Sequence, residues 1–198
     1  MRAVKLIGIS GSLRRASSNT AFLRALQGLV PEGVGLELFP LDDLPLYNGD
    51  LDGPSPPAPV ARFKSAIEAA DGLVISTPEY NWGMSGVLKN AFDWASRPTN
   101  ASPLKGKPAL VMSCSPAFTG GARAHGQVRE TLTSALARVV ARPPVVIAGS
   151  NGKIDNGRFV DETNLNFAQE AIADLIAEID LLQRVRHAWR PTDPVEGD

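Results

Sequence analysis

Residues 78–94 read Pro78-Glu79-Tyr80-Asn81-Trp82-Gly83-Met84-Ser85-Gly86-Val87-Leu88-Lys89-Asn90-Ala91-Phe92-Asp93-Trp94. The short apolar run 73–76 stands just before them and reads as a buried strand. A proline, a glycine and several polar groups then make a loop. A helix begins near Gly86, with Val87, Leu88, Ala91, Phe92 and Ala95 along one face. Strand, loop and helix in that order are one unit of an open α/β sheet. In such sheets ligands bind beyond the carboxyl ends of the strands. The segment therefore puts an aromatic, polar loop where a flat ring could lie.

The same alternation extends in both directions. Upstream, residues 4–9 form a first apolar strand. Phe22, Leu23, Leu26, Leu29 and Val30 have helical spacing up to a stop at Pro31-Glu32-Gly33, and residues 36–39 form a second strand. Six prolines punctuate a loop over 40–59, and a helix over about 60–70 leads into the strand at 73–76. Downstream, residues 109–113 form a fourth strand. A helix over about 122–140 follows a Gly-Gly turn and buries Val128, Leu132, Ala135, Leu136 and Val139. A fifth strand spans 145–148, a small hairpin sits at Asp155-Asn156-Gly157, and a last helix runs over about 163–186. Five short strands, almost wholly apolar, alternate with five helices. This implies a parallel sheet covered on both faces. The expected fold is α/β and flavodoxin-like: a doubly wound five-stranded parallel sheet of order 2-1-3-4-5. Its ligand crevice lies between strands one and three. Residues 1–188 make a single domain, and 189–198 a polar tail.

Bulk composition excludes several classes. A net charge of −1 gives no pull towards nucleic acid or an anionic membrane, and it lacks the acidity of many small electron carriers. The single cysteine, Cys114, cannot form an internal disulfide or hold an iron–sulfur cluster, and reads as a small buried thiol. The apolar run after the charged start is too short for a signal segment, and no run reaches membrane-spanning length, so the expected location is cytoplasmic. Asn100-Ala101-Ser102 matches a glycosylation acceptor but carries no meaning in that compartment. No His/Cys/Asp cluster has metal-ligand spacing.

The loop after the first strand, Ser10-Gly11-Ser12-Leu13-Arg14-Arg15-Ala16-Ser17-Ser18-Asn19-Thr20, leads directly into a helix. Small and hydroxyl residues ahead of a helix N-terminus make an anion site, because free backbone N–H groups and the helix dipole both favour negative charge. Ser12, Ser17 and Asn19 add short side-chain donors, and Arg14 adds charge. Together they suit a terminal phosphate monoester, beyond the simple capping role open to Ser17 or Ser18. Two rival phosphate motifs fail. G-x-G-x-x-G lacks its glycines at Ser10 and Leu13, and Gly152-Lys153 is followed by Ile154 rather than Ser or Thr. The loop after the fourth strand, Ser113-Cys114-Ser115-Pro116 with Thr119-Gly120-Gly121-Ala122, offers hydroxyls and bare backbone for the polar edge of a ring. Pro78 and Tyr80 read as a wall for that ring, with packing at a subunit contact as the other reading of Tyr80 and Trp82.

Four motifs in order, each after the appropriate strand, resemble the NADPH-dependent FMN reductases, which include bacterial quinone and chromate reductases and related azoreductases. They are Gly11-Ser12-Leu13-Arg14 with Ser17-x-Asn19, Pro78-Glu79-Tyr80-Asn81, Gly86-x-Leu88-Lys89-Asn90-Ala91-x-Asp93-Trp94, and Gly120-Gly121-Ala122-Arg123. The resemblance implies non-covalent FMN, with its phosphate held by Ser12, Leu13, Arg14, Ser17 and Asn19. Pro78, Glu79, Tyr80 and Asn81 would line the ring. The backbone around Cys114, Ser115 and Gly121 would meet its pyrimidine end. It also implies a homodimer or homotetramer, with Lys89-Asn90 and Asp93-Trp94 orienting the following helix and a dimer contact. Where relatives often have His or Tyr, then Ser, and later a Pro, this chain has Trp82-Gly83 and Met84-Ser85.

The implied activity is transfer of hydride from NADPH or NADH, through FMN, to a quinone, flavin, azo or nitro compound or metal oxyanion. No catalytic side chain is required. His125 reads as a helix-surface or interface histidine, with proton donation to the acceptor as the other option. Two further readings stand beside this one: a flavodoxin-type electron carrier with no turnover of its own, and a regulatory protein that has lost the flavin. The near-neutral charge and the Arg14-Arg15 pair oppose the first, and the intact loops oppose the second.

Overall fold

The structure, a computed structural model, describes residues 3–99 and 101–188. Of residues 186–188 only the helical backbone is described. Asn100 and the tail at 189–198 lie outside the described residues. β1 (Val4–Ser10), β2 (Val34–Phe39), β3 (Gly72–Thr77) and β4 (Pro108–Cys114) alternate with α1 (Ser18–Gln27), α2 (Ala58–Ala69), α3 (Gly86–Ala95) and α4 (Ala122–Ser134). Two short strands follow, β5 (Arg138–Val139) and β6 (Val145–Ile147). The hairpin β7 (Ile154–Asp155) and β8 (Arg158–Phe159) precedes α5 (Glu162–Ala188). The sheet order is β2-β1-β3-β4-β5, with β6 also on β4, and every pairing in it is parallel.

Strand alternation divides the core into two. Leu6, Val74, Leu110 and Met112 face Phe22, Leu26, Ala171, Ile172 and Leu175 of α1 and α5. Ile7, Ile9, Leu73, Ile75 and Val111 face Phe63, Ile67, Leu88, Phe92, Val128 and Leu132 of α2, α3 and α4. β3 and β4 are buried along their whole length, as strands covered on both faces must be.

The fifth sheet position departs from expectation. The predicted helix over 122–140 stops at Ser134, because Leu136 enters the left-handed region (φ 63°) and Ala137 N–H turns back to the Leu132 carbonyl at 2.9 Å. This is a Schellman-type end. Leu136 is therefore exposed rather than buried. Arg138–Val139 leaves the helix to pair with Pro108 and Ala109, while Val145–Ile147 pairs with Met112–Cys114. The predicted strand over 145–148 is present as β6, and a second short piece, β5, forms where helix was expected, since sheet pairing outweighs helical periodicity here. The first helix also ends early, at Gln27, where Gly28 caps it. The hairpin at Asn156-Gly157 forms as read, with both residues at positive φ.

Lys89-Asn90 and Asp93-Trp94 have structural roles. Asn90 Nδ2 and Trp94 Nε1 both donate to the Pro45 carbonyl, at 2.9 and 2.8 Å. Asn90 Oδ1 accepts from Tyr47 N–H, fastening the long loop after β2 to α3. Lys89 and Asp93 form an i,i+4 ion pair on the surface.

Candidate active site

Three loops meet at the carboxyl edge of β1, β3 and β4. Gly11 N–H donates to Ser76 O at 2.9 Å, and a Cβ on Gly11 would sit only 2.9 Å from Pro78 Cδ. Glycine thus lets the first loop lie directly against the second. Gly121, at φ 88°, has room for a Cβ only at 3.0 Å from Ser113 Cβ and 3.7 Å from Glu79 Cβ, so the third loop closes on the second in the same way.

The first loop presents backbone. The N–H groups of Leu13, Arg15, Ala16 and Ser17 have no partner among the described residues, while those of Ser12 and Arg14 make only long contacts, 3.4 Å, to Ser10 Oγ and Ser12 Oγ. Ser17 Oγ caps α1 by accepting from Thr20 N–H at 3.2 Å. Arg14 lies on the surface, its guanidinium donating to Ala16 O at 3.2 Å. Leu13 is exposed beside it. Asn19 differs from its reading as a side-chain donor. Its Nδ2 donates to Cys114 O at 3.0 Å and its Oδ1 accepts from Ser76 Oγ at 2.7 Å, so the buried carboxamide stitches α1 to β3 and β4. What remains at Asn19 for an anion is backbone at the helix N-terminus.

The second loop is a tight reverse turn. Tyr80 and Gly83 exchange both backbone hydrogen bonds at 2.9 Å, and the two residues between them, Asn81 (φ 50°) and Trp82 (φ 67°), are both left-handed. Asn tolerates this region, but a bulky residue there stores about 1–3 kcal/mol of strain. Glu79 points away from the turn. Its carboxylate accepts from Arg123 N–H at 2.9 Å, Ala124 N–H at 3.3 Å and Arg123 Nη1 at 3.2 Å. Gly121, the residue at the start of α4, has no side chain for capping, so Glu79 supplies the cap from another loop. The Arg123 guanidinium lies 4.7 Å from the centre of the Trp82 ring, and Gln127 Oε1 accepts from Met84 N–H at 2.9 Å. The second loop is therefore bolted to the first two turns of α4. The sequence reading found neither the Glu79 cap nor the Gln127 contact. A Glu facing a helix that opens on Gly-Gly was the available signal.

The third loop is buried. Cys114 is a buried thiol pushed up to about 11, chiefly by burial, against the opposing effects of Ser150 and Lys153. Ser115 is spent on its own turn: Oγ accepts from Ala117 N–H, N–H donates to Ile147 O and O accepts from Ser150 N–H. Ser113 Oγ is buried without a partner, 3.4 Å from where a Gly121 Cβ would stand. His125 is not a surface histidine. It is 4% exposed, and Nε2 lies 3.0 Å from Val111 O. A carbonyl only accepts, so Nε2 carries the proton. Burial lowers the His125 pKa, with the Val111 bond opposing and Arg129 adding to the effect. The ring is a neutral pin between α4 and β4 and has no proton to offer at the surface.

The donor set fits a flavin mononucleotide. Unpartnered amides ahead of a helix suit a phosphate dianion, an unpartnered hydroxyl lies beneath the Gly121 backbone, and glycines keep the cradle free of side chains.

Comparison with known proteins gives the same direction. The sequence pattern of the family described as NADPH-dependent FMN reductase matches residues 4–153. The chain is 42% identical over 173 residues to an NAD(P)H-dependent FMN reductase of Pseudomonas aeruginosa, covering 87% of this chain and 93% of that protein. It is 40% identical over 169 residues to a 2-hydroxy-1,4-benzoquinone reductase of a Burkholderia species, covering 84% and 91%. Among solved structures it resembles FerB, a flavoenzyme NAD(P)H:(acceptor) oxidoreductase of Paracoccus denitrificans. The TM-score there is 0.77 and the identity 32%, over 91% of this chain and 98% of that one.

Proposed function

The chain belongs to the NADPH-dependent FMN reductase family, and from that premise we propose that it passes hydride from NAD(P)H, through non-covalent FMN, to a quinone or a related organic acceptor. The observation that carries this reading is the junction of three backbone-lined loops at one sheet edge, between the first and third strands in space. FMN supplies the hydride chemistry, and the protein supplies position and polarity.

On this reading the amides of Leu13, Arg15, Ala16 and Ser17 and the start of α1 hold the phosphate, and Ser12, Arg14 and Asn19 contribute through backbone or surface charge. Pro78, Glu79, Tyr80 and Asn81 line the ring, with Glu79 acting through the fixed turn rather than by its carboxylate. Backbone of Cys114, Ser115 and Gly121 takes the pyrimidine edge. The reading asks no acid or base of Glu79, which is paired, or of His125 and Cys114, which are buried. The reading includes cytoplasmic location and a single domain over 1–188. None of the described helices is long and apolar enough to cross a membrane.

A homodimer or homotetramer is part of the same proposal. A groove of about 800 Å³ between α3 and α4 carries Lys89, Asp93, Arg97 and Glu130, with exposed Leu136 at its end. Mixed charges around an apolar floor can complement their own copy across a twofold axis.

The test is an absorbance spectrum of the protein with FMN, followed by anaerobic NADPH or NADH. Bound-flavin peaks that bleach within seconds, and return when a quinone is added, are the expected result. Flavin that NAD(P)H leaves oxidised would favour the electron carrier, and no bound flavin would overturn both.

A further inference from the structure

We infer that Trp82 is the acceptor-stacking wall of this site, and that it selects planar fused-ring aromatic acceptors over compact inorganic oxyanions. The inference rests on the flavin reading above and deepens it by naming the acceptor class.

The turn geometry is the first ground. In a two-residue turn with both central residues left-handed, the second position is the one glycine serves best. Here that position holds tryptophan at φ 67°, and Gly83 comes one residue later. The indole is 72% exposed, so the core gains little from it. A residue that strains its backbone and leaves its ring in solvent serves neither stability nor solubility, and retained strain of this kind points to function.

The second ground is the way the ring is held. The Arg123 guanidinium covers one face at 4.7 Å and is itself tied to Glu79 at 3.2 Å. Gln127 holds Met84, two residues on, and occupies the space beside Gly83, where a Cβ would meet Gln127 Oε1 at 2.8 Å. The turn is fixed to α4 from two sides, so the indole does not swing freely. Its other face is left open, on the loop that leaves the carboxyl end of β3, one residue beyond the ring-lining Pro78–Asn81 segment.

An open, oriented indole face attracts partners through dispersion and quadrupole contact, and both require a plane to stack on. A naphthoquinone offers one. A hydrated tetrahedral oxyanion does not, and the Arg123 charge that would draw it is already paired with Glu79.

The test compares wild type with Trp82→Gly and Trp82→Phe as FMN-loaded enzymes. Menadione is titrated into the oxidised enzyme without NAD(P)H, so that binding is read calorimetrically with no turnover. Trp82→Gly is expected to weaken menadione binding about tenfold, the scale of one lost aromatic stack. Trp82→Phe should stay within about threefold of wild type, because it keeps an aromatic plane. The ratio of kcat/KM for menadione to that for chromate should fall about tenfold in Trp82→Gly. The melting temperature of Trp82→Gly should hold or rise, because glycine relieves the turn. Unchanged menadione binding in Trp82→Gly would overturn the inference, as would equal losses for menadione and chromate. A shift of Trp82→Gly to a smaller species on size exclusion would also overturn it, by making the residue a subunit contact. If wild type binds no FMN, the flavin reading itself fails. If it binds FMN and bleaches normally while the menadione prediction fails, only the role of Trp82 is lost.

Discussion

Replacing Glu79 by alanine should destabilise the protein by about 2–3 kcal/mol, and most of that loss should sit in the backbone of α4 rather than in the ion pair with Arg123. The side chain of Glu79 is 8% exposed, so its hydrogen bonds are largely desolvated and are not replaced well by water. Two of its three partners are the N–H groups of Arg123 and Ala124, at 2.9 and 3.3 Å. A charged acceptor at a helix start contributes about 1 kcal/mol per bond, with a further fraction from the helix dipole. The third partner, the Arg123 guanidinium, is 49% exposed, and solvent screening holds that pair to about 0.5 kcal/mol. Glu79→Gln keeps one acceptor oxygen for the helix N–H groups but loses the charge and the second oxygen that meets Arg123, so it should cost about 1 kcal/mol. Urea unfolding, with and without saturating FMN, measures both variants against wild type. A double-mutant cycle with Arg123→Ala should return a Glu79–Arg123 coupling below about 1 kcal/mol. The corresponding fall in melting temperature for Glu79→Ala is about 4–12 °C in a domain of this size. A loss below about 0.5 kcal/mol would refute the capping argument. A coupling energy as large as the whole Glu79→Ala effect would refute the ranking and make the ion pair the dominant contact.

Ser17→Ala removes the α1 cap and should cost about 1 kcal/mol, with weaker FMN binding in equilibrium dialysis because the helix start frays. Gly121→Ala forces a left-handed alanine whose Cβ meets Ser113 at 3.0 Å. It should lose about 1–2 kcal/mol in urea melts and bind FMN poorly at unchanged sheet content by circular dichroism. His125 has its pKa lowered in the fold from 6.5, so below that value the unfolded chain takes up the proton first and binds more protons than the native one. Stability should therefore fall as pH drops below about 6.5, with the contribution of His125 fully present above it, and His125→Asn should flatten this part of the urea-midpoint profile. Cys114, with its thiol near 11, should resist iodoacetamide at pH 8 in the native protein and react readily once urea unfolds it.

The features legible in the sequence were those set by apolar periodicity. Strands such as Gly72–Thr77 and Pro108–Cys114 are buried on both faces, so every residue reads alike, and the strand order follows from alternation with helices. That the loops gather at one sheet edge was legible from strand–helix alternation, but that Gly11 and Gly121 let them touch for want of a Cβ was not. Nor was the end of α4, because Leu136 takes a left-handed conformation that its residue type disfavours, and the gain comes from β5 pairing with β4, a contact distant in sequence. The role of Asn19 was misread for a related reason. A carboxamide near a helix start looks like an anion donor, but burial against β3 and β4 gives it two fixed partners across 57 and 95 residues of chain. Similarly, the burial of His125 depends on α4 lying against Val111, which no local pattern reveals.

Taken together, the contacts separate the work of the site between backbone and side chain. On the proposed reading the phosphate and ring edge would meet mostly amides without partners among the described residues and glycine turns, so many side-chain changes there should leave the cofactor in place. The side chains that are spent fix the frame: Asn19 ties α1 to β3 and β4, Glu79 and Gln127 hold the second loop to α4, and His125 pins α4 to β4. That arrangement leaves the outer face of the second loop as the part free to vary without loosening the flavin. Trp82 and Gly83 occupy that face. A change in acceptor preference within such a scaffold needs only the tip of one turn to change, because Glu79 and Gln127 fix its base. The strain carried at Trp82 fits this division: the tip is selected for what it meets, and the base for keeping the tip still.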